Sequence, residues 1–132
     1  MFSNITDLAG RIFLSLLFLT AGFSKLGAGY EGTAQYMSAM GLSPALLPVV
    51  IVTEILGALA IIVGFQTRIV AFLLAGFSIL SALFFHLDFA DQMQNILFMK
   101  NFAIAGGFLV LVSQGAKRFS IDAAFAARNR GI

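Results

Sequence analysis

The sequence predicts an all-α integral membrane protein, a four-helix bundle with up-down-up-down topology and both termini in the cytoplasm. Hydrophobic residues make up 60% of the 132 residues and charged residues 11%, with a mean hydropathy of +0.98. A soluble domain carries about 25% charged residues, because its surface must stay hydrated. Four apolar stretches follow one another, and the basic residues are concentrated on one side of them. We therefore expect one transmembrane domain over residues 1–132.

Each apolar stretch is close to the roughly 17–25 residues that a helix needs to cross the hydrocarbon core. Lipid offers no partners for backbone N–H and C=O groups, so these stretches must be helical. The first is expected to be a retained helix rather than a cleaved signal peptide, since Asp7 offsets Arg11 and no small-residue cleavage site follows. The predicted helices span residues of about 8–26, 46–64, 68–86 and 97–114.

The connections between these helices differ in character. Residues 64–68 predict a tight turn, in which Gly64 ends one helix and Thr67 caps the next. Residues 27–45 are longer and contain Tyr30 and Tyr36, which predicts a short helix at the membrane interface.

The C-terminal residues 119–130 predict a cytoplasmic amphipathic tail. Ser120 is a good N-cap, and apolar Ile121 and Phe125 lie four residues apart, followed by Arg128 and Arg130. A cationic amphipathic segment of this kind lies on the membrane surface.

The basic residues predict the orientation. With four crossings, the N-terminus, the 64–68 turn and the tail share one side, which holds Arg11, Arg68, Lys117, Arg118, Arg128 and Arg130. The other side holds only Lys25 and Lys100. Basic residues accumulate on the cytoplasmic side, so both termini are expected there, with Arg68, Lys117 and Arg118 as topology and interface anchors.

Small residues predict the packed faces of the helices, because membrane helices approach each other closely through such residues. The second and third helices carry stripes of small residues at matched spacings, which predicts that these two helices pack on each other. The stripes are Thr53, Gly57, Ala60 and Gly64 on one helix, and Ala71, Ala75, Ser78 and Ala82 on the other.

Four ionisable residues are expected to point into the bundle, because each lies on the small-residue side of its helix. They are Lys25, Glu54, His86 and Lys100, and Asn101 follows at the next position. The sequence therefore predicts a polar centre in the outer half of the bundle that consists of ligand-binding or proton-relay candidates.

Two interpretations of this centre stay open. Glu54 could form a structural ion pair with one lysine. Alternatively, the cluster could bind a small polar or quinone-like headgroup, or conduct protons or ions. Haem is disfavoured because the chain has a single histidine, and the sequence predicts no metal site and no nucleic-acid partner.

At these residues the chain resembles the DoxX family, and within it the small YqjF-type bacterial inner-membrane proteins. The resemblance covers nearly the whole chain, and the ordered set of segments carries it. The segments are Ala-Gly-Phe-Ser-Lys-Leu at 21–26, Tyr-Met-Ser-Ala-Met-Gly-Leu at 36–42, Glu-Ile-Leu-Gly-Ala-Leu at 54–59, Gly-Phe-Gln-Thr-Arg at 64–68, Phe-His at 85–86, Met-Lys-Asn at 99–101, Gly-Gly at 106–107 and Ser-Ile-Asp at 120–122.

The resemblance implies a multi-pass protein of the bacterial inner (plasma) membrane. One family member, DoxD, is a subunit of a thiosulfate:quinone oxidoreductase, and others look like membrane partners of redox or oxidative-stress proteins. The resemblance suggests a quinone- or small-molecule-linked redox accessory protein. Quinone is the candidate cofactor, and the sequence shows no motif for another cofactor. The alternatives are a non-catalytic scaffold for a redox or stress partner protein and a small proton-coupled transporter. Enzymatic activity and homo-oligomerisation are left open. The lipid bilayer is the expected partner, and a redox or stress-response protein is a further candidate partner.

Overall fold

The computed structural model describes residues 1–130, which fold into six α-helices. These are α1 (Phe2–Ser24), α2 (Ala28–Ala39), α3 (Leu47–Val63), α4 (Thr67–Phe85), α5 (Gln92–Gln114) and α6 (Ile121–Arg130). A 3₁₀ turn, Pro44–Leu46, leads into α3. Among the described residues, four helices are long and apolar enough to cross a membrane: α1, α3 with its preceding turn, α4 and α5. The predicted all-α membrane class is confirmed.

Two helices begin earlier than the sequence indicates. An aspartate stabilises each of them, from inside the first turns of α1 and as the N-cap of α5. α1 begins at Phe2 rather than near residue 8, and Asp7 lies inside it, one turn before Arg11. The Asp7 carboxylate accepts a 3.0 Å hydrogen bond from Arg11 Nε, which favours the helix. α5 begins at Gln92 rather than near residue 97, since the Asp91 side chain caps the backbone N–H of Met93 at 3.0 Å.

The predicted turn between α3 and α4 is present, but its capping group is different. Gly64 ends α3 with φ of 72°, the left-handed conformation that glycine adopts readily. Thr67 is the first residue of α4 and makes no side-chain cap. Asp122, from the C-terminal tail, supplies the cap instead. The prediction for Thr67 is therefore wrong, while Ser120 caps α6 as expected, accepting from the N–H of Ala123 at 3.0 Å.

The helices pack as two close pairs, α1 with α3 and α4 with α5. α3 also contacts α4, where Leu74 leaves no spare room beside Gly57. The predicted packing of α3 and α4 is therefore present, but each of the two helices packs more extensively on its partner within a pair. Small residues mark a face that can approach another helix, but they do not say which helix approaches.

Contacts along α1 and α3 show that these helices run in opposite directions. Arg11, in the first half of α1, contacts Ile61 near the end of α3, whereas Gly22 lies against Glu54 in its middle. We call the two ends of the bundle the Arg11 end, which also holds the α3–α4 turn, and the Lys25 end, where α1 and α4 finish. Which end faces the cytoplasm stays a prediction.

Phe18 lies at the centre of the bundle and joins the two helix pairs. Its ring centroid is 6.2 Å from that of Phe77 on α4 and 5.6 Å from that of Phe108 on α5. Phe18 and Phe108 are both buried, within a core that also contains Ala58 and Leu74. The bundle is therefore closely packed between Phe18 and the Arg11 end.

Candidate functional site

A cavity of about 450 Å³ opens in the half of the bundle between Phe18 and the Lys25 end. Its wall is mostly apolar and includes Phe18 and Phe77. All five predicted site residues line it: Lys25, Glu54, His86, Lys100 and Asn101. The four spans and α2 all contribute to this one space.

Glu54 is placed by the buried face of α3. Buried residues Ile51, Glu54, Ala58 and Ile61 recur at spacings of three and four, which puts them on one side of the helix. Gly22 on α1 allows the close approach to this face, since a Cβ there would lie 2.5 Å from Cγ1 of Ile55. Glu54 is consequently only 4% exposed.

Lys25, the C-cap residue of α1, pairs with Glu54. Its Nζ lies 2.7 Å from Glu54 Oε1, and it also donates to the Ala21 carbonyl at 3.3 Å. The approach to Oε1 has the distance of an ion pair but not the direction of a hydrogen bond, so this buried oxygen has no aligned donor among the described residues.

His86 and Lys100 line the same cavity without pairing with Glu54. His86 Nδ1 lies 2.7 Å from Gln94 Oε1. An amide oxygen only accepts, so Nδ1 carries the hydrogen in this arrangement and Nε2 is left for another partner. Lys100 is exposed and has no ion pair within residues 1–130. Of the predicted cluster, only Lys25 and Glu54 make direct contact.

α2 covers the cavity, a role that the sequence did not predict for it. Its buried residues Ala34 and Met37 pack with Leu47 and Ile51 of α3. Tyr36 stacks on Phe85 at a centroid distance of 5.3 Å and an interplanar angle of 24°. Thr33, Tyr36 and Met37 therefore line the cavity alongside the charged groups. The tyrosines and methionines of this segment were the sequence feature that could have indicated this role.

The Arg11 end contains a second charged network, which sequence analysis missed. Arg11 is 1% exposed and pairs with Asp7. Its guanidinium also donates to the carbonyls of Ile61 at 3.1 Å, Ile62 at 2.8 Å and Phe119 at 2.5 Å. Arg11 thereby satisfies the Ile62 carbonyl at the end of α3 and adds a second donor to the Ile61 carbonyl, which also accepts from the N–H of Gly64 at 3.2 Å.

The C-terminal tail is held to this network by Asp122. Its two carboxylate oxygens accept from the backbone N–H groups of Gln66 and Thr67, both at 2.8 Å. Burial raises the pKa of Asp122, but the hydrogen bonds from Thr67 and Gln66, with the charge of Arg11, outweigh it, so the pKa lies below its usual value. The predicted anchors Arg68, Lys117 and Arg118 also lie at this end, and all three are exposed.

Comparison with known proteins agrees with the resemblance that the sequence suggested. Residues 6–87 match the family model described as DoxX. The chain is 49% identical over 119 residues to the inner membrane protein YqjF of Escherichia coli (strain K12), covering 90% of this chain and 91% of that protein. It is 35% identical over 123 residues to the inner membrane protein YphA of the same organism, covering 87% and 86%. No solved structure is significantly similar.

The family match extends over α1 to α4, which include the cover of the cavity and the Lys25–Glu54 pair. Both relatives are inner membrane proteins, and four helices here are apolar and long enough to span. The chain therefore belongs to the DoxX family and is a multi-pass bacterial inner membrane protein.

Proposed function

We propose that the cavity at the Lys25 end binds a quinone, or a small molecule of similar build, and that the protein serves as an accessory in membrane redox chemistry. The observation that carries this proposal is the position of the Lys25–Glu54 ion pair, with Nζ 2.7 Å from Oε1, in the wall of a mostly apolar cavity.

The size and lining of the cavity suit such a ligand. Small-molecule sites are commonly about 300–1,000 Å³, mainly apolar, with a few polar groups that fix orientation. The 450 Å³ space has this character, and its lining includes the rings of Phe77 and Phe84 and the polar side chains of Lys25, Glu54 and His86. An apolar ring system would contact the aromatic side chains, and its polar head would reach the charged pair.

The charged pair offers both kinds of hydrogen-bonding group that a quinone requires. A quinone carbonyl accepts hydrogen bonds, which the Lys25 ammonium can donate, and a quinol hydroxyl donates one, which Glu54 Oε1 can accept. His86 Nε2 provides a further hydrogen-bonding group in the same cavity lining. Ionisable groups kept inside a membrane bundle commonly mark such ligand paths, because their burial is costly.

The test is ligand-dependent stabilisation of the purified protein in detergent, with a short-chain ubiquinone analogue as the probe. A ligand that binds only the folded state at 100 times its Kd adds about 2.7 kcal/mol to the free energy of unfolding. We expect a rise in Tm for the parent protein and little or none for Glu54→Gln, which keeps the side-chain shape and removes the charge.

Glu31→Gln is the matched control, since Glu31 is an exposed residue of α2 outside the cavity lining. It should retain the full shift of the parent. Far-UV circular dichroism establishes that each variant is folded. Equal shifts for the parent and Glu54→Gln would refute a quinone site at this pair.

A further inference from the structure

A second cavity, of about 470 Å³, lies at the Arg11 end, where the α3–α4 turn, the end of α5 and the start of α6 meet. It is separate from the cavity at the Lys25 end, because the packed core around Phe18 lies between them. Its lining combines polar groups with small residues and one aliphatic side chain at the start of α4, and includes Gln66, Arg68, Ile69, Gln114, Gly115 and Asp122.

Arg68 supplies a cation that the protein itself does not neutralise. Its side chain is exposed and lies over Gly115, whose φ of 68° and lack of a Cβ both permit this contact. Its Nη2 makes one long hydrogen bond, 3.4 Å, to the Gln114 carbonyl. No carboxylate lies within ion-pair distance of it in residues 1–130. The guanidinium therefore keeps most of its donors for an external acceptor.

The carboxylate of Asp122, which lines this cavity, already has hydrogen-bond partners within the protein. Both oxygens of Asp122 accept backbone N–H groups at 2.8 Å, and Arg11 is the cation that acts on its charge. Lys117 and Arg118 project from the nearby loop as further exposed cations without ion pairs in the described chain. The local field at this cavity is thus positive, which favours an anion.

The surface next to Arg68 is apolar and faces the bilayer. Ile69 and Phe72 are each 62% exposed, and Leu73 is 60% exposed, on the first turns of α4. In a membrane-spanning helix such side chains contact acyl chains. Arg68 therefore lies where an apolar helix surface ends and a cationic cavity begins, which is the level of lipid headgroups.

We infer that this cavity binds the phosphate-bearing headgroup of an anionic phospholipid, with Arg68 holding the phosphate and the acyl chains lying along Ile69 and Phe72. Arginine matches phosphate well, because its planar fork donates two parallel hydrogen bonds. The basic side chains of the adjacent loop add attraction for a negatively charged lipid over a neutral one.

Native mass spectrometry of the detergent-purified protein tests this inference, with phosphatidylglycerol and phosphatidylcholine added in equal amounts. The parent should retain phosphatidylglycerol preferentially. Arg68→Gln should bind it about five-fold more weakly, the effect expected for one basic residue at a lipid surface. Arg128→Gln is the control, because Arg128 is an exposed arginine outside this cavity and should keep the preference.

Arg68→Lys provides a second variant that keeps the charge and loses the fork, and it should lie between the parent and Arg68→Gln. Equal retention of the two lipids by the parent, or equal weakening by Arg68→Gln and Arg128→Gln, would overturn the inference. Displacement of the lipid by inorganic phosphate at equal concentration would also overturn it, since the site would then take a soluble anion. Persistence of the complex in excess phosphate supports it.

Discussion

The two ends of the bundle treat their buried charges differently. At the Arg11 end, Arg11 pairs with Asp7 and donates to three backbone carbonyls, and Asp122 accepts two backbone N–H groups. At the Lys25 end, Glu54 has a single cation and no aligned donor on Oε1, and it borders an open cavity. Charged side chains whose hydrogen bonds are all made to the protein stabilise the fold. A charged pair with few hydrogen bonds beside a cavity is suited to binding a ligand.

The largest expected effect is at the Arg11 end, for Arg11→Met. This change leaves Asp7 buried without its cation and removes a donor from three carbonyls, of which those of Ile62 and Phe119 have no other donor among the described residues. Breaking a buried pair by removing one partner costs about 3–5 kcal/mol. Denaturant unfolding in detergent would measure the loss. Arg68→Gln is the matched control, as an exposed arginine should cost under about 0.5 kcal/mol. Equal losses for the two variants would remove the distinction between the ends.

The corresponding change at the Lys25 end is Lys25→Met, for which we expect a smaller loss of about 2–3 kcal/mol. Removing the ammonium leaves Glu54 buried and unpaired, but the Lys25 side chain is itself 22% exposed, so water already shares in its solvation. The double variant Lys25→Met, Glu54→Leu should recover most of this loss, because it replaces the pair with apolar groups. Additive losses in this double-mutant cycle would show that the two residues do not act as a pair.

Gly64→Ala tests whether the close fit of the Arg11 end requires a glycine. Gly64 has φ of 72°, and an added Cβ would collide with Ser120 and lie 3.0 Å from Nη1 of Arg11. A non-glycine residue in this conformation costs about 1–3 kcal/mol. Gly76→Ala, in the open part of α4, is the control and should be neutral or raise stability by about 0.5–1 kcal/mol. Thermal unfolding of both variants provides the comparison.

The smallest expected effect is that of Asp122→Asn, which weakens the cap on α4. Loss of a helix cap costs about 1 kcal/mol. The pKa of Asp122 is lowered in the folded protein, so its charge stabilises the fold above the unfolded-state value of 3.8, and this contribution is lost as the pH falls below that value. The parent and the variant should therefore differ at pH 7, and this difference should shrink as the pH falls from about 4 through the lowered pKa of Asp122. A difference independent of pH would rule out the charge as the cause.

The sequence predicted the features that follow from local residue patterns. It did not predict the contacts that side chains make with backbone groups far away in the chain. Hydrophobicity and helical spacing were enough to place Lys25 and Glu54 on facing sides of two helices. Arg11 was read only as a charge for orientation, because its partners are carbonyl groups that any residue can supply. Asp122 likewise caps a turn 55 residues away. Lys100 was expected to point inward with the others, and it does line the cavity, but unlike Glu54 its side chain is also exposed.

Phe18, between its two aromatic neighbours, gives the cavity a floor. A molecule that enters at the Lys25 end meets these tilted and edge-on rings at the inner end of the cavity. In this conformation the packed core around Phe18 separates the cavity from the Arg11 end. Passage of a solute from one face of the membrane to the other would require the Phe18 ring to swing out of the core, at the cost of the packing that joins the two halves of the bundle.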